Sequence, residues 1–558
     1  MDLDSVIRRF ETAKGNRGNW ESTWQEIGDR VLPSMADFTA LRSDGAKRTE
    51  YLYDATAALA AQKANAVVST FVWPSNQRYQ KLSTSNPELN RVQRVAAWMD
   101  AVTDIVFQRR YSPRGAFEAQ MGESSLQSFV FGTGNIFVDE GWAVDTNSRR
   151  KQPFLRYKSL HLARTIIMEN DAGIVDTVFR WWDWSIRQLA QWIERQKAAG
   201  IQVADLPTQL AQKLEKHPDE KVCIVHVVMP REDYDPERIG YKGMPWASCY
   251  FVQSLKYKLQ EGGFNSWPFG TMRHMTSPGE VYGRSPTMLA LSDVKVLNAM
   301  KKTVIQAGQK VVDPPLLLSE DGILGAFSTV PGALNFGGVS SSGQQLVHPL
   351  QTNARVEIGL DMMDKEREII ASAFLLDVFR VLVEHPNMTA TQTLELMQER
   401  AVQLAPIAGR LETECLGPIT EREIDLLARA GQIPPMPEEL IEARGEYRIE
   451  YTSPMRQAMR ASEGIAITRT LEAVLPMAEA DPSVLDAYKL PAMARELGEI
   501  NGVPAKLMND LETMAQMQEQ RDQQAQMQSL VEAAPAVSAA AANLTKLQAA
   551  GGRTAGVA

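Results

Sequence analysis

Along most of the chain apolar residues recur at three- and four-residue spacing, the mark of helices, with one long interruption where they run as strands. Trp20, Trp24, Ile27 and Val31 trace a helix that stops at Pro33. Asp54 stands where it can cap a second helix, ATAALAAQKANAVVSTFVW, which ends at Pro74. Further helices are expected at roughly 88–109 and 115–130, the latter ending in a turn from Phe131 to Asn135. From 136 to 180 the segments IFVDEGWAV, PFLRYKSLHL, RTIIMEN and IVDTVFRWW read as strands, with Asp171-Ala172-Gly173 as a hairpin turn. Residues 185–215 return to helix, with Ile186, Leu189, Ala190 and Ile193 on one face. An insert over 220–284 then carries two apolar strands, Val222 to Val228 and Ser248 to Ser254, among Pro, Gly and aromatic residues. So small a module buries little surface alone, so its strands are expected to pair with a partner chain or to pack on the parent domain.

The stretch from Gly279 to Gln309 predicts a helix of about twenty residues, with Ser285 at the N-cap, Pro286 at the first helical position and no breaker before Gly308. Its apolar residues form two stripes. Leu289, Val296, Leu297, Met300 and Val304 make one; Leu291, Val294 and Ile305 make the other. Ser292, Lys295, Lys302 and Gln306 run between them as a polar line. Two stripes imply neighbours on both sides, as for copies packed around a lumen, and a buried helix with polar edges fits the same pattern. Downstream, GGVSSSGQ at 337–344 reads as a flexible loop, 356–383 as helix, and Thr389 with Gln392 as a capping box for a helix that kinks at Pro406. IPPMP at 433–437 is a stiff connector and EYRIEYTSP contains one strand. From Met455 the chain predicts helices at 455–475, 483–498 and 504–532, then an Ala-rich tail.

Composition narrows the function more by exclusion than by assertion. With 558 residues, 44% of them hydrophobic and 23% charged, the chain has length for several domains and the balance of a globular protein. No apolar run is long enough to span a bilayer, and MDLDSVIRRFE lacks the features of a secretory signal. Cys223, Cys249 and Cys415 are far apart and read as buried free thiols. A net charge of −9 argues against coating DNA by bulk positive charge. Arg149, Arg150, Lys151, Arg156 and Lys158 are the densest basic cluster of the first half, with solvated loop residues as their ordinary reading. No Walker A sequence, HExxH pair, Cys/His ligand spacing or GxSxG elbow occurs, so no catalytic, cofactor or metal residue is assigned.

Separated motifs agree with one family. Tyr282-Gly283-Arg284-Ser285-Pro286, then Asp293, Lys295 and Leu297-Asn298, then Asp313-Pro314-Pro315-Leu316-Leu317 closely resemble the portal, or head-to-tail connector, proteins of short-tailed bacteriophages. The resemblance covers about residues 5–500 and includes Trp20/Trp24/Leu32-Pro33, Asp54-Ala55-Thr56, Phe131-Gly132-Thr133-Gly134 and Thr389-Ala390-Thr391. It implies an α+β, mainly helical portal fold with wing, stem, clip and crown, closing into a homo-oligomeric ring of about twelve subunits. Laid onto this chain, the wing is expected at 1–184 and 311–454, stem helices at 185–219 and 285–310, and the clip at 220–284. The crown is expected at 455–532 and a mobile tail at 533–558.

The function implied is a conduit for packaging and ejecting double-stranded DNA at one capsid vertex of the virion, assembled in the host cytoplasm. Implied partners are terminase, a tail adaptor, and the major capsid and scaffolding proteins, with no membrane. Expected channel residues are Ser292, Lys295, Lys302 and Gln306, with Gly337, Gly338 and Gly343 in a channel loop. Expected subunit or adaptor contacts are Val222, Ile224, Val228, Leu291, Val294 and Leu297. A helical scaffold or adaptor without a channel, or a metal-dependent nuclease, are the competing readings.

Overall fold

A computed structural model of the chain describes residues 2–40, 45–46, 52–86, 88–144, 151–318, 328–350, 356–376, 403–500 and scattered positions between 503 and 524. The expected capping box at Thr389 and Gln392, most of the helix at 504–532 and the tail at 533–558 lie outside these residues. The chain divides into two compact units: Met1–Tyr79 with Ile105–Ile433, and Gln80–Asp104 with Pro434–Ala558.

The early helices are α1 (Leu3–Gly15), α2 (Gly18–Val31), α3 (Thr56–Val72), α4 (Gln93–Arg110) and α5 (Phe117–Phe131). The α2 helix stops before Pro33, whose ring forbids continuation. In α3, Ala57, Ala60, Ala61 and Ala64 are buried, and so small a face lets α5 approach closely. The strands are β1 (Gln80–Ser83), β2 (Thr133–Val144), β3 (Lys151–Leu160), β4 (Thr165–Glu169) and β5 (Val175–Ser185). Then come α6 (Ile186–Ala198), α7 (Thr208–Lys216), β6 (Lys221–Pro230), β7 (Trp246–Val252), β8 (Tyr257–Phe264) and β9 (Phe269–Arg273).

In the first unit β2 is the centre of a three-stranded antiparallel sheet, β3-β2-β9, and β4 to β8 form a five-stranded antiparallel sheet in sequence order. Both faces of the larger sheet are covered by the chain's own helices. Val6, Ile7 and Phe10 of α1 pack on Phe179, Val225, Val227 and Phe251. On the other face Ile186, Leu189 and Ile193 of α6 and Leu210 of α7 pack on Val222, Ile224, Val252 and Leu259. A strand buried on both faces needs a nearly continuous apolar run, and VCIVHVV supplies one whose single polar residue, His226, is buried and hydrogen-bonded.

This arrangement corrects two expectations. Residues 185–219 are not one long stem helix. They form two short ones, broken where Gly200 takes φ +75° and Pro207 precedes α7. Nor is 220–284 a detached module. Its β6 pairs with β5, and its β9 joins β2 in the other sheet.

The long helical pair lies further on. After α8 (Pro286–Leu289), α9 (Leu291–Val312) packs against α10 (Val356–Ala373). A Cβ at Gly359 would come within 2.7 Å of Val304 Cγ2, so the helices approach more closely than a side chain there allows. Between them β10 (Leu316–Leu318) and β11 (Val347–Pro349) pair antiparallel, so the two helices form a hairpin whose connecting segment is 313–355. A π-helical turn, Glu412–Leu416, leads into α11 (Gly417–Arg429).

In the second unit β1 pairs antiparallel with β12 (Arg448–Tyr451), the strand expected in EYRIEYTSP. The helix α12 (Glu438–Glu442) precedes that strand, and α13 (Pro454–Ala480) follows it, capped by Ser453 and continuing through Pro476. The next helix, α14 (Leu490–Ile500), packs on α13 at Gly464, where an added Cβ would meet Ile500 Cγ2 at 3.4 Å.

Candidate channel and assembly surfaces

The hairpin of α9 and α10 is held at its head by side chains that the motifs around residues 131 and 283 supply. Ser285 Oγ accepts from Met288 N at 3.0 Å, the cap that the Ser-Pro pair predicts, and donates to Val130 O at 2.9 Å. Thr287 Oγ1 donates to Phe129 O at 3.0 Å, so the start of the helix is pinned to the end of α5. Gly132 and Gly283 meet face to face. A Cβ on either would overlap the carbonyl of the other, and Gly132 sits at φ +88°. The Gly283 N–H donates to Thr133 Oγ1 at 2.9 Å.

Lower down, one carboxylate ties three elements together. Asp54 accepts from Thr56 N at 2.8 Å, from Lys301 Nζ of α9 at 3.2 Å and from Arg367 Nη2 of α10 at 3.0 Å. Burial would push this acid up, but the hydrogen bonds from Thr56, Arg367 and Lys301 outweigh it and hold its pKa at about 2. Asn298 Oδ1 accepts from Tyr53 N and Asp54 N, both at 3.0 Å, fixing the loop against α9.

These ties give α9 three faces. The inner face carries Val294, Leu297 and Asn298, all buried, with Lys301 and Val304 half-buried below them. A polar lane carries Ser292, Lys295, Lys302 and Gln306, all exposed. Within it Lys295 Nζ pairs with Glu26 Oε1 of α2 at 2.6 Å, while Lys302 Nζ lies 5.8 Å from the centre of the Tyr53 ring. A third face is apolar yet uncovered, with Val296 41% and Val311 53% exposed, and Leu289 at the end of α8 is 74% exposed. On α10, Ile358, Met362 and Ile369 at i, i+4 and i+11 form a second uncovered stripe, the outer two 53% and 50% exposed. The segment 313–355 adds exposed Leu317, Leu334, Phe336 and Val339. These apolar side chains are not covered by the chain's own described residues.

The family model for the bacteriophage head to tail connecting protein matches residues 3–508. The chain belongs to this connector family. A probable portal protein of Bordetella phage BPP-1 is 26% identical over 532 residues, covering 93% of this chain and 91% of that protein. The portal protein of Salmonella phage epsilon15 is 25% identical over 563 residues, covering 98% of this chain and 96% of its own length.

Within this connector, the expected contact residues Val222, Ile224 and Val228 are core. Ile224 and Val228 are wholly inaccessible and Val222 nearly so, covered by their own chain. Val294 and Leu297 are likewise buried in their own chain, and Leu291 is half-buried. The two stripes read from the sequence were divided wrongly, because the buried face cuts across both. Gly343 adopts φ +80° in a turn closed by Ser340 N donating to Gln344 O at 2.8 Å, Gly338 O accepts from Leu346 N at 3.0 Å just outside it, and Gly337 precedes them at φ +83°. That turn belongs to the segment joining α9 to α10. The apolar stripe on α10 is legible in the sequence, as Ile358, Met362 and Ile369 share one helical face.

Proposed function

We propose that the chain is the portal protein of a bacteriophage virion, a closed ring of about twelve copies through which double-stranded DNA is packaged and ejected. The observation that carries this reading is the α9–α10 hairpin, which has one face on its own chain, uncovered apolar stripes and a separate polar lane. A closed ring covers such stripes with identical neighbours and leaves the lane to line the channel. In this reading α9 and α10 are the stem, 313–355 is the clip that receives the tail adaptor, and the two sheets with their helices belong to the wing. The helices from Pro454 onward form the crown. Terminase docks during packaging, and the major capsid and scaffolding proteins surround the ring at one vertex. Ser292, Lys302 and Gln306 then face passing DNA.

Mass photometry of the purified 62.0 kDa chain, with negative-stain images, tests the proposal. A ring of about 700 kDa with a central hole is expected, and its loss in Val296→Asp with Ile358→Asp. Monomer only at micromolar concentration, or intact rings in that double variant, would overturn it.

A further inference from the structure

The basic cluster noted in the sequence is not a set of solvated loop residues where the structure describes it. Arg156 and Lys158 alternate along β3, so both point to one face of the sheet, and their partners on β2 are Asp139 and Phe137. Onto that face the neighbouring sheet delivers Arg180 of β5. Its guanidinium lies 3.7 Å from the centre of the Phe137 ring, and the residue is only 8% exposed. It is aimed by His226, whose Nδ1 accepts from Arg180 Nε at 2.8 Å while its Nε2 lies 2.9 Å from Ser248 Oγ. The His226 ring is stacked on Tyr250 at 4.0 Å, which fixes its plane.

The charges there do not balance. Arg156 Nη2 pairs with Asp139 Oδ2 at 3.0 Å, but among the described residues no carboxylate lies within ion-pair distance of Arg180 or Lys158. Arg156 is thus the one member of the three with an ion pair among the described residues. The Trp182 indole N–H, on the same face of β5 as Arg180, has no acceptor either. Burying a cation without a counter-charge is costly, and chains retain such an arrangement where something supplies the missing anion. The local field bears this out. Burial, and then Arg180 and Arg156, push the Lys158 ammonium below its ordinary pKa, and burial pushes Arg180 down too.

We propose that Arg156, Lys158 and Arg180 form a phosphate-binding site on the β2–β3 face, with His226 as the residue that positions Arg180. The two cations without an ion-pair partner suit a phosphate anion, and the planar guanidinium offers the paired N–H geometry that phosphate oxygens accept. Arg156 and Lys158 are exposed on the outer side, so the site opens to solvent. The source of the phosphate is either the backbone of duplex DNA or a free phosphate. The inference does not depend on the ring reading.

Titration calorimetry of the full chain with inorganic phosphate, against chloride at matched ionic strength, is the test. Saturable phosphate binding is expected, weakened about tenfold in Lys158→Gln or Arg156→Gln and recovered in Lys158→Arg. Both altered positions are outside the core, so unchanged far-ultraviolet circular dichroism accompanies that result. Displacement of phosphate by a 20-base-pair duplex assigns the site to DNA; binding without displacement assigns it to free phosphate. Equal heats for phosphate and chloride, or undiminished phosphate binding in Lys158→Gln, would overturn the site. So would a polyglutamate peptide that binds through Lys158 while phosphate does not, since the partner would then be a protein carboxylate.

Discussion

Replacing Asp54 by Asn removes the charge that joins α9 to α10 and leaves the side chain's shape in place. In the native protein the carboxylate receives the Thr56 N–H, the Lys301 ammonium and the Arg367 guanidinium. The fall of its pKa from the ordinary 3.8 to about 2 corresponds to about 2.4 kcal/mol if the site were fully shielded. The Lys301 and Arg367 side chains are a third exposed, so solvent screening brings the figure to about 1–2 kcal/mol. Opening of α10 away from α9 then becomes about 5–30 times more frequent. Hydrogen exchange of the Val356–Ala373 amides, read by mass spectrometry, should accelerate by that factor while exchange in α6 stays unchanged. The acid limb gives an independent check. A carboxylate depressed in the native state stabilises above pH 3.8, and that contribution is lost as pH falls towards 2. Asp54→Asn should lack this acid loss. Exchange in α10 unchanged within twofold would refute the claim that Asp54 clamps the hairpin.

Two further outcomes follow from buried charge. Arg110 and Glu423 are both fully buried, with Arg110 Nε donating to Glu423 Oε1 at 2.9 Å and Nη2 to Thr420 Oγ1 at 2.8 Å; Glu423→Gln should cost about 3–5 kcal/mol, measured by urea unfolding. His274 is held near pKa 4 by burial, so as pH falls from about 6.5 to 4 the unfolded chain takes up a proton that the native one refuses, and up to about 3 kcal/mol is lost. His226 is pushed in the same direction, and His274→Phe should make the fall of the thermal midpoint over that window shallower.

How much of this was legible depended on whether the signal was local. The stop of α2 at Pro33, the Ser285 cap and the strands between 133 and 185 are set by neighbours a few residues away, and they read correctly. The Val222–Val228 run was recognised as a strand, but periodicity does not say what covers it. Its covers, α1 and α6, come from other parts of the chain, so periodicity leaves a partner chain and the parent domain equally open, and the second is what the structure has. The α9 stripes misled for a different reason. Polar Asn298 and Lys301 sit on the buried face because they serve Tyr53 and Asp54, while apolar Leu289 and Val296 sit outside it. A wheel that sorts by polarity alone inverts those roles. The basic cluster reads as solvated loop residues from sequence, because the strand that carries Arg156 and Lys158 meets Arg180 only through a different sheet.

The polar lane of α9 carries less charge than two lysines suggest. Lys295 is paired with Glu26, which Arg30 also contacts at 3.4 Å, so the charge of the upper part of the lane is partly offset and α2 is tied to the helix. Lys302, one turn and more below, has no ion pair among the described residues and rests near the face of Tyr53. In the proposed ring this leaves one strongly attractive level of about twelve cations along that stretch instead of two. At physiological salt exposed charges are screened beyond about 8 Å, so such a level touches only the phosphates passing beside it. A conduit needs that economy, since each additional neutralised phosphate steepens the hold on DNA and slows its release. The pairing of Lys295 with Glu26 therefore has two consequences in one contact. It joins α2 to α9 by a surface ion pair, and in the proposed ring it lowers the positive charge that the lane would present to DNA.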